Sequence, residues 1–192
     1  MYSAAYNEWL TGRLPRLDEI SAAHSAVGGP SRGRRFTTLQ INHSYAVMLT
    51  SQFQGFCRDL HDECIVNFVT AISPSSLRIT IQQLLSQNRK LDSGNPNPGN
   101  IGSDFNRFGI RFWPAVEAVS GRAKSRQTHL IRLTDWRNAI AHQDFDPIKL
   151  HGISGLNLQH VTQWRRACEG FARTFDSVMG DYLNAVVGHV PW

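Results

Sequence analysis

Arg137, Asn138 and His142 bring a guanidinium, a carboxamide and an imidazole together in the run Arg137-Asn138-Ala139-Ile140-Ala141-His142. A guanidinium grips a phosphate through a planar fork of donors. An imidazole titrates near neutrality, so it can take a proton and give it back. A carboxamide can orient that imidazole or bind a phosphate oxygen itself. The three types together suit chemistry at a phosphate.

The run sits at the end of a helical pattern predicted over residues 124 to 141. At about 100° per residue, Leu130, Leu133, Trp136, Ile140 and Ala141 share one arc, and Arg137 falls inside it. A second arc holds Ile131, Asp135, Asn138 and His142. Arg137 is therefore expected to be partly buried, and such a charge needs a partner or a polar cleft. Asn138 and His142 are four residues apart on one face, so the amide can reach the imidazole. Arg137 and His142 are five apart, roughly 7.5 Å along the axis and pointing about 140° apart. They meet at one phosphate only if the Arg side chain curls, the helix ends near His142, or a second copy supplies the missing group. A purely structural reading competes. Arg137 would then be a core ion pair with Asp59, Asp62 or Glu63, and His142 a helix C-cap favoured by the helix dipole.

The elements that must position this run are helices, with no convincing strand pattern. Residues 4 to 27 predict one helix, or two with Pro15 opening the second. Gly28-Gly29-Pro30 ends it, and a basic connector with Arg32, Arg34 and Arg35 follows. A long helix is predicted over 37 to 72. Its stripe is Tyr45, Met48, Leu49, Phe53, Phe56, Cys57, Leu60, Cys64, Phe68 and Ile72. Gly55 inside it marks a close approach or a weak point. A helix over 76 to 90 comes next, then a surface loop over Asp92 to Gly102. One or two short helices around Pro114 fill 103 to 120. After the motif helix, a last long helix spans 157 to 187. The pattern predicts an all-α bundle of about five helices, two of them long. It reads as a single domain over 1–192, with a core over about 36–187 and N-terminal helices 4–27 packing on it.

Composition fits an ordinary globular protein, with 41% hydrophobic and 18% charged residues and a net charge of +5. Lys90, Lys124 and Lys149 are its only lysines, so the basic side chains are mostly arginines, which lean toward an anionic partner or simply serve solubility. Cys57 and Cys64 would lie roughly 10 Å apart along one helix, too far to bridge. With Cys168 they read as small core residues in a reducing compartment. The first ten residues carry Glu8 and lack a basic segment followed by an apolar run, so no signal peptide is expected. No apolar stretch approaches the ~20 residues of a membrane span. A cytoplasmic protein without membrane contact is the expectation.

The Arg137–His142 run resembles the signature of the HEPN family, the nucleotide-binding domains of higher eukaryotes and prokaryotes. That signature is an arginine, four to six residues, then a histidine, often with a polar residue directly after the arginine. The segment from His43 to Leu60 also resembles the first core helix of the family's ribonuclease-toxin-like branch. The resemblance spans about Phe36 to Val186. It implies an α-helical bundle that forms a homodimer and joins two copies of the motif in a cleft. It implies a metal-independent endoribonuclease of a kind that often serves as a toxin or anti-phage effector, with an antitoxin or other protein partner. Arg137, Asn138 and His142 would be its catalytic residues, acting on RNA with no cofactor and no metal. Other members of the family keep the fold and only bind RNA, nucleotide or a protein partner, which leaves a non-catalytic dimer as the alternative. A third reading is an unrelated helical interaction module.

Other signals are weaker. Arg34, Arg35, Arg122, Lys124 and Arg126 could track an RNA backbone or be a solvated surface. Phe105, Phe108, Phe112 and Trp113 beside Arg107 and Arg111 could stack bases, but packing of a short helix is favoured. Gly121 to Ser125 is a poor imitation of a P-loop. His151 to Gly155 lacks the spacing of a nucleophile elbow. The remaining histidines, including His24, His61, His129 and His189, show no metal-ligand spacing.

Overall fold

A computed structural model describes residues 1–28 and 36–192. The described residues are helical, with no strand among them. The predicted basic connector, with Arg34 and Arg35, lies outside them.

The chain opens with α1 (Ala4–Glu8), capped by the Ser3 hydroxyl, which accepts the Tyr6 N–H at 3.0 Å. A π-helical turn over Trp9–Arg13 leads into α2 (Leu14–Gly28), whose first turn holds Pro15. The turn aims Arg13 at the next helix, where its guanidinium meets Asp59 and Gln52. It lies over Gly55, and a Cβ there would collide with it. The predicted close approach at Gly55 is therefore made by an arginine side chain.

The long helix α3 (Phe36–Thr70) has 35 residues, a length of roughly 50 Å. Its buried stripe runs Tyr45, Leu49, Phe53, Phe56, Cys57, Leu60 and Cys64, while Met48 is exposed. The predicted helix over 76 to 90 stops early as α4 (Arg78–Ser86), and a separate turn, α5 (Lys90–Ser93), follows. The Asp104 carboxylate accepts the Lys90 and Leu91 N–H groups at 2.9 and 2.8 Å and so starts α5.

The stretch expected as a surface loop is partly helix: α6 spans Pro98–Phe105. The Asn97 side chain caps it by accepting the Asn100 N–H at 2.8 Å, and Pro98 sits in its first turn. Residues that read as turn formers are here the start of a helix. After α7 (Phe112–Val119) come the motif helix α8 (Ala123–His142) and α9 (Leu158–Val187). Asn157 and His160 form a capping box at the start of α9. The bundle thus divides into more helices than the five or so expected, because the predicted helix over 76 to 90 stops at Ser86 and the predicted loop over Asp92 to Gly102 holds the end of α5 and most of α6.

The axis of the bundle is α3 against α9, with α8 on both and α1 and α2 packed on α3. One contiguous core joins them. Phe105, Phe112, Phe171 and Phe175 are fully buried at its centre, and Phe105 stacks on Phe112 at 4.6 Å. These aromatics pack the bundle and are not free to stack bases. Cys57, Cys64 and Cys168 are free thiols within the core, and burial raises all three thiol pKa values. His61 is buried with Nε2 at 3.1 Å from the Asp104 carbonyl, and burial lowers its pKa to about 4. Nearby, Arg89 bridges Asp62 and Asp92. No helix among the described residues is long and apolar enough to cross a membrane.

Candidate functional site

Helix α8 buries Leu130, Leu133, Thr134, Trp136 and Ala139 against the bundle. It ends at His142, because Gln143 turns left-handed at φ 55°. There Gln143 Nε2 caps the Ile140 carbonyl at 2.7 Å, and the Asp144 N–H takes the Ala139 carbonyl at 3.0 Å. His142 is the last helical residue and is exposed.

Arg137 is half-buried, as its place on the wheel requires. The three carboxylates that could have held it are engaged elsewhere. Asp59 pairs with Arg13 and Asp62 with Arg89, while Glu63 accepts the Ala4 and Ala5 N–H groups. Among the described residues no carboxylate pairs with Arg137. Its side chain curls instead, and Nη1 donates to Asn138 Oδ1 at 3.3 Å.

Asn138 Oδ1 also accepts from Asn95 Nδ2 at 2.6 Å. Asn95 belongs to the segment between α5 and α6, where its carbonyl in turn accepts from Asn100 Nδ2 at 2.8 Å. With its oxygen held by two donors, Asn138 presents its amide N–H groups to the surroundings. Asn138 and His142 are not hydrogen-bonded to each other, contrary to the orienting bond expected from their spacing.

Both line one open cavity of about 330 Å³, together with Asp135, Ala139, Asp144, Lys149 and Leu150. Its two carboxylates are already matched. Asp144 pairs with Lys149, which lowers the Asp144 pKa, and Asp135 lies 2.8 Å from His151 Nε2. His142 makes no hydrogen bond or ion pair with any described residue. The cavity therefore offers an unpaired imidazole, amide donors and a neighbouring guanidinium, with the Asp144 carboxylate matched by Lys149 and the Asp135 carboxylate held at His151. That set can hold a phosphate oxygen and exchange a proton beside it.

The structure thus brings Arg137 to Asn138, and Asn138 to the same wall as His142, without joining Arg137 to His142. Asn95, Lys149 and the Asp135–His151 pair were not apparent as part of this neighbourhood from sequence. Only Asp135 carried a signal, by sharing the motif's arc. Among the other basic candidates, Arg122 and Lys124 are exposed. Arg126 is a packing residue: it donates to Ser120 Oγ and the Gly170 carbonyl at 3.0 and 3.3 Å and lies flat over Gly170. Among the described residues no three His, Cys, Asp or Glu side chains converge to hold a metal ion.

Fold and site together define an all-α helical protein with a polar cavity at the C-terminal end of α8. Comparison of the chain with protein-family models, with curated proteins and with solved structures returned no match.

Proposed function

We propose that this chain is a HEPN-like endoribonuclease that cleaves RNA in the cytoplasm without a metal ion. Its site is built from Arg137, Asn138 and His142 and completed by a second copy. The observation that carries the reading is the pairing of a half-buried, carboxylate-free Arg137 with an exposed, unbonded His142 at the end of one helix. Among the described residues Arg137 holds an amide oxygen at 3.3 Å and no carboxylate, which leaves its guanidinium fork able to meet a phosphate. The exposed apolar side chains Ile131 and Ile148, 40% and 90% accessible, flank the motif and suit burial against a partner.

In this mechanism His142 takes the proton of the RNA 2′-hydroxyl, and the 2′-oxygen attacks the adjacent phosphorus. The bond to the 5′-oxygen breaks, and the second copy's imidazolium protonates that oxygen. Arg137 and the Asn138 amide hold the non-bridging oxygens as charge builds on them. The products carry a 2′,3′-cyclic phosphate and a 5′-hydroxyl. A toxin or anti-phage role, with an antitoxin as partner, follows from the family resemblance.

The test is incubation of total RNA in EDTA with wild type, His142→Ala and Arg137→Ala, with analysis of the cleaved ends. Cleavage to cyclic-phosphate ends that both variants lose supports the assignment. Equal cleavage by all three proteins removes these residues from the chemistry. Salt-sensitive RNA binding without cleavage by wild type would leave the non-catalytic dimer.

A further inference from the structure

The largest cavity described lies beside the motif, on a different face of α8. It encloses about 750 Å³, between the N-terminal half of α3, the end of α8 and the segment before α9. From α8 it takes Trp136 and Ile140, four residues apart and therefore on one face, and from the turn behind the helix Gln143. The face of Trp136 and Ile140 is turned roughly 160° from the one carrying Asn138 and His142. The two cavities share the helix end.

The chemistry of the wall is distinctive. Among the described residues it carries no carboxylate, lysine or arginine. His43 is its one titratable side chain, and burial lowers the His43 pKa, which favours the neutral ring. Three rings contribute: Trp136, His43 and Phe145, with Phe145 stacked on His43 at 5.5 Å and 40% exposed. Carboxamides supply the polar edge, from Gln40, Asn42, Gln143 and Asn157. Asn42 is only 4% exposed, and while its Nδ2 donates to the Leu156 carbonyl at 3.2 Å, its Oδ1 has no partner among the described residues. The Trp136 indole N–H, also buried, has none either. A buried acceptor and a buried donor left without partners among the described residues are each costly. Both belong to residues that line the cavity.

A described wall of rings and amides fits a flat, uncharged heterocycle with donors and acceptors along its edge better than it fits a phosphate. Amide side chains read base edges, and rings stack on base faces. We infer that this cavity is a binding site for a nucleobase, held against the exposed face of Phe145 and read by the surrounding carboxamides. That the base belongs to an RNA strand whose next phosphate lies at Arg137 to His142 rests on the ribonuclease reading. A free nucleotide is the other source of the same chemistry.

Two exposed cavity residues, Gln40 and Phe145, can be truncated without opening the core. Wild type, Gln40→Ala and Phe145→Ala would be titrated calorimetrically with each of the four nucleoside 5′-monophosphates and with RNA homohexamers. Circular dichroism would verify the fold of each variant. The expected result is a clear preference for one base, with roughly fivefold or greater weakening in Phe145→Ala from lost stacking. Gln40→Ala is expected to narrow the preference. Preference among hexamers alone assigns the base to RNA, and preference among monophosphates alone assigns it to a free nucleotide. Binding without base preference, binding unchanged in both variants, or no binding of any probe overturns the inference. RNA cleavage measured in parallel separates the two claims. Cleavage with no base preference sinks the pocket and keeps the nuclease, whereas a selective pocket without cleavage does the reverse.

Discussion

Asn95→Ala is the most discriminating perturbation the site offers, because it touches no motif residue. Its amide donates to Asn138 Oδ1 at 2.6 Å, while its backbone carbonyl, which alanine retains, takes the bond from Asn100. The substitution therefore removes one part-buried hydrogen bond and leaves Asn138 Oδ1 with only the longer contact from Arg137 at 3.3 Å. A bond of this kind contributes about 0.5–1.5 kcal/mol net. In a protein of this size, that lowers the melting temperature by only about 1–6 °C. If Asn138 must be fixed for its amide to meet a phosphate oxygen, the same energy appears in the rate as roughly a two- to tenfold loss.

The assay is single-turnover cleavage of a defined RNA by Asn95→Ala, Asn138→Ala and the double variant, with melting temperatures recorded alongside. Asn95→Ala should fall between wild type and Asn138→Ala, and the double variant should be no slower than Asn138→Ala alone. Asn95 acts through Asn138, so its effect has to vanish when Asn138 is gone. Wild-type cleavage by Asn95→Ala, together with a strong loss in Asn138→Ala, would refute the positioning role. Additive losses in the double variant would refute it equally.

Three further outcomes are expected. The buried, neutral His61 has a pKa of about 4, below the ordinary 6.5, so the unfolded chain binds the extra proton first. Its contribution is complete above pH 6.5 and falls by up to about 3 kcal/mol as pH drops toward 4; chemical denaturation at several pH values should show a shallower slope in His61→Gln, and an unchanged slope would exclude this histidine as the source. Phe175→Ala, at a fully buried site between α3, α7 and α9, should cost about 3–5 kcal/mol, read as a melting-temperature drop of roughly 6–20 °C. Sedimentation equilibrium should give twice the chain mass, and Ile148→Asp should shift it toward one chain; a strict monomer would remove the paired-site proposal.

How much of the fold could be read in advance follows the length of each apolar stripe. Helices α3, α8 and α9 begin and end within two residues of the spans predicted from periodicity, because repeated burial every three or four residues overwhelms local exceptions. The short elements depend on local chemistry instead. Pro98 and Asn97 were read as turn formers, yet proline in a first turn behind an asparagine cap is also how a helix starts. The π-turn at Trp9–Arg13 leaves no periodic trace. Within the site, the arc holding Asp135, Asn138 and His142 was legible from the wheel, as was the half-burial of Arg137. Asn95 was not, since its bond to Asn138 joins positions 43 residues apart and nothing local to either residue encodes it.

The geometry of α8 also explains why a single chain stops short of a finished site. A helix places two residues on one face at spacings such as three, four, seven or eight, and not at one or five. Asn138 and His142 meet that condition, and Trp136 and Ile140 meet it on another face. Arg137 meets it with neither Asn138 nor His142. It comes to Asn138 by bending its own side chain, and the bend uses its donor on the amide oxygen instead of on His142. The helix end at His142 frees the imidazole on the surface but sends the following chain away through the left-handed Gln143. On α8 itself a phosphate resting on Arg137 and Asn138 finds a single imidazole, His142, whereas the proposed transesterification needs a base on one side of phosphorus and an acid on the other. The acid has to arrive from outside this helix. In the proposed mechanism a second copy facing the exposed arc of Ile131, Asn138 and His142 would supply it.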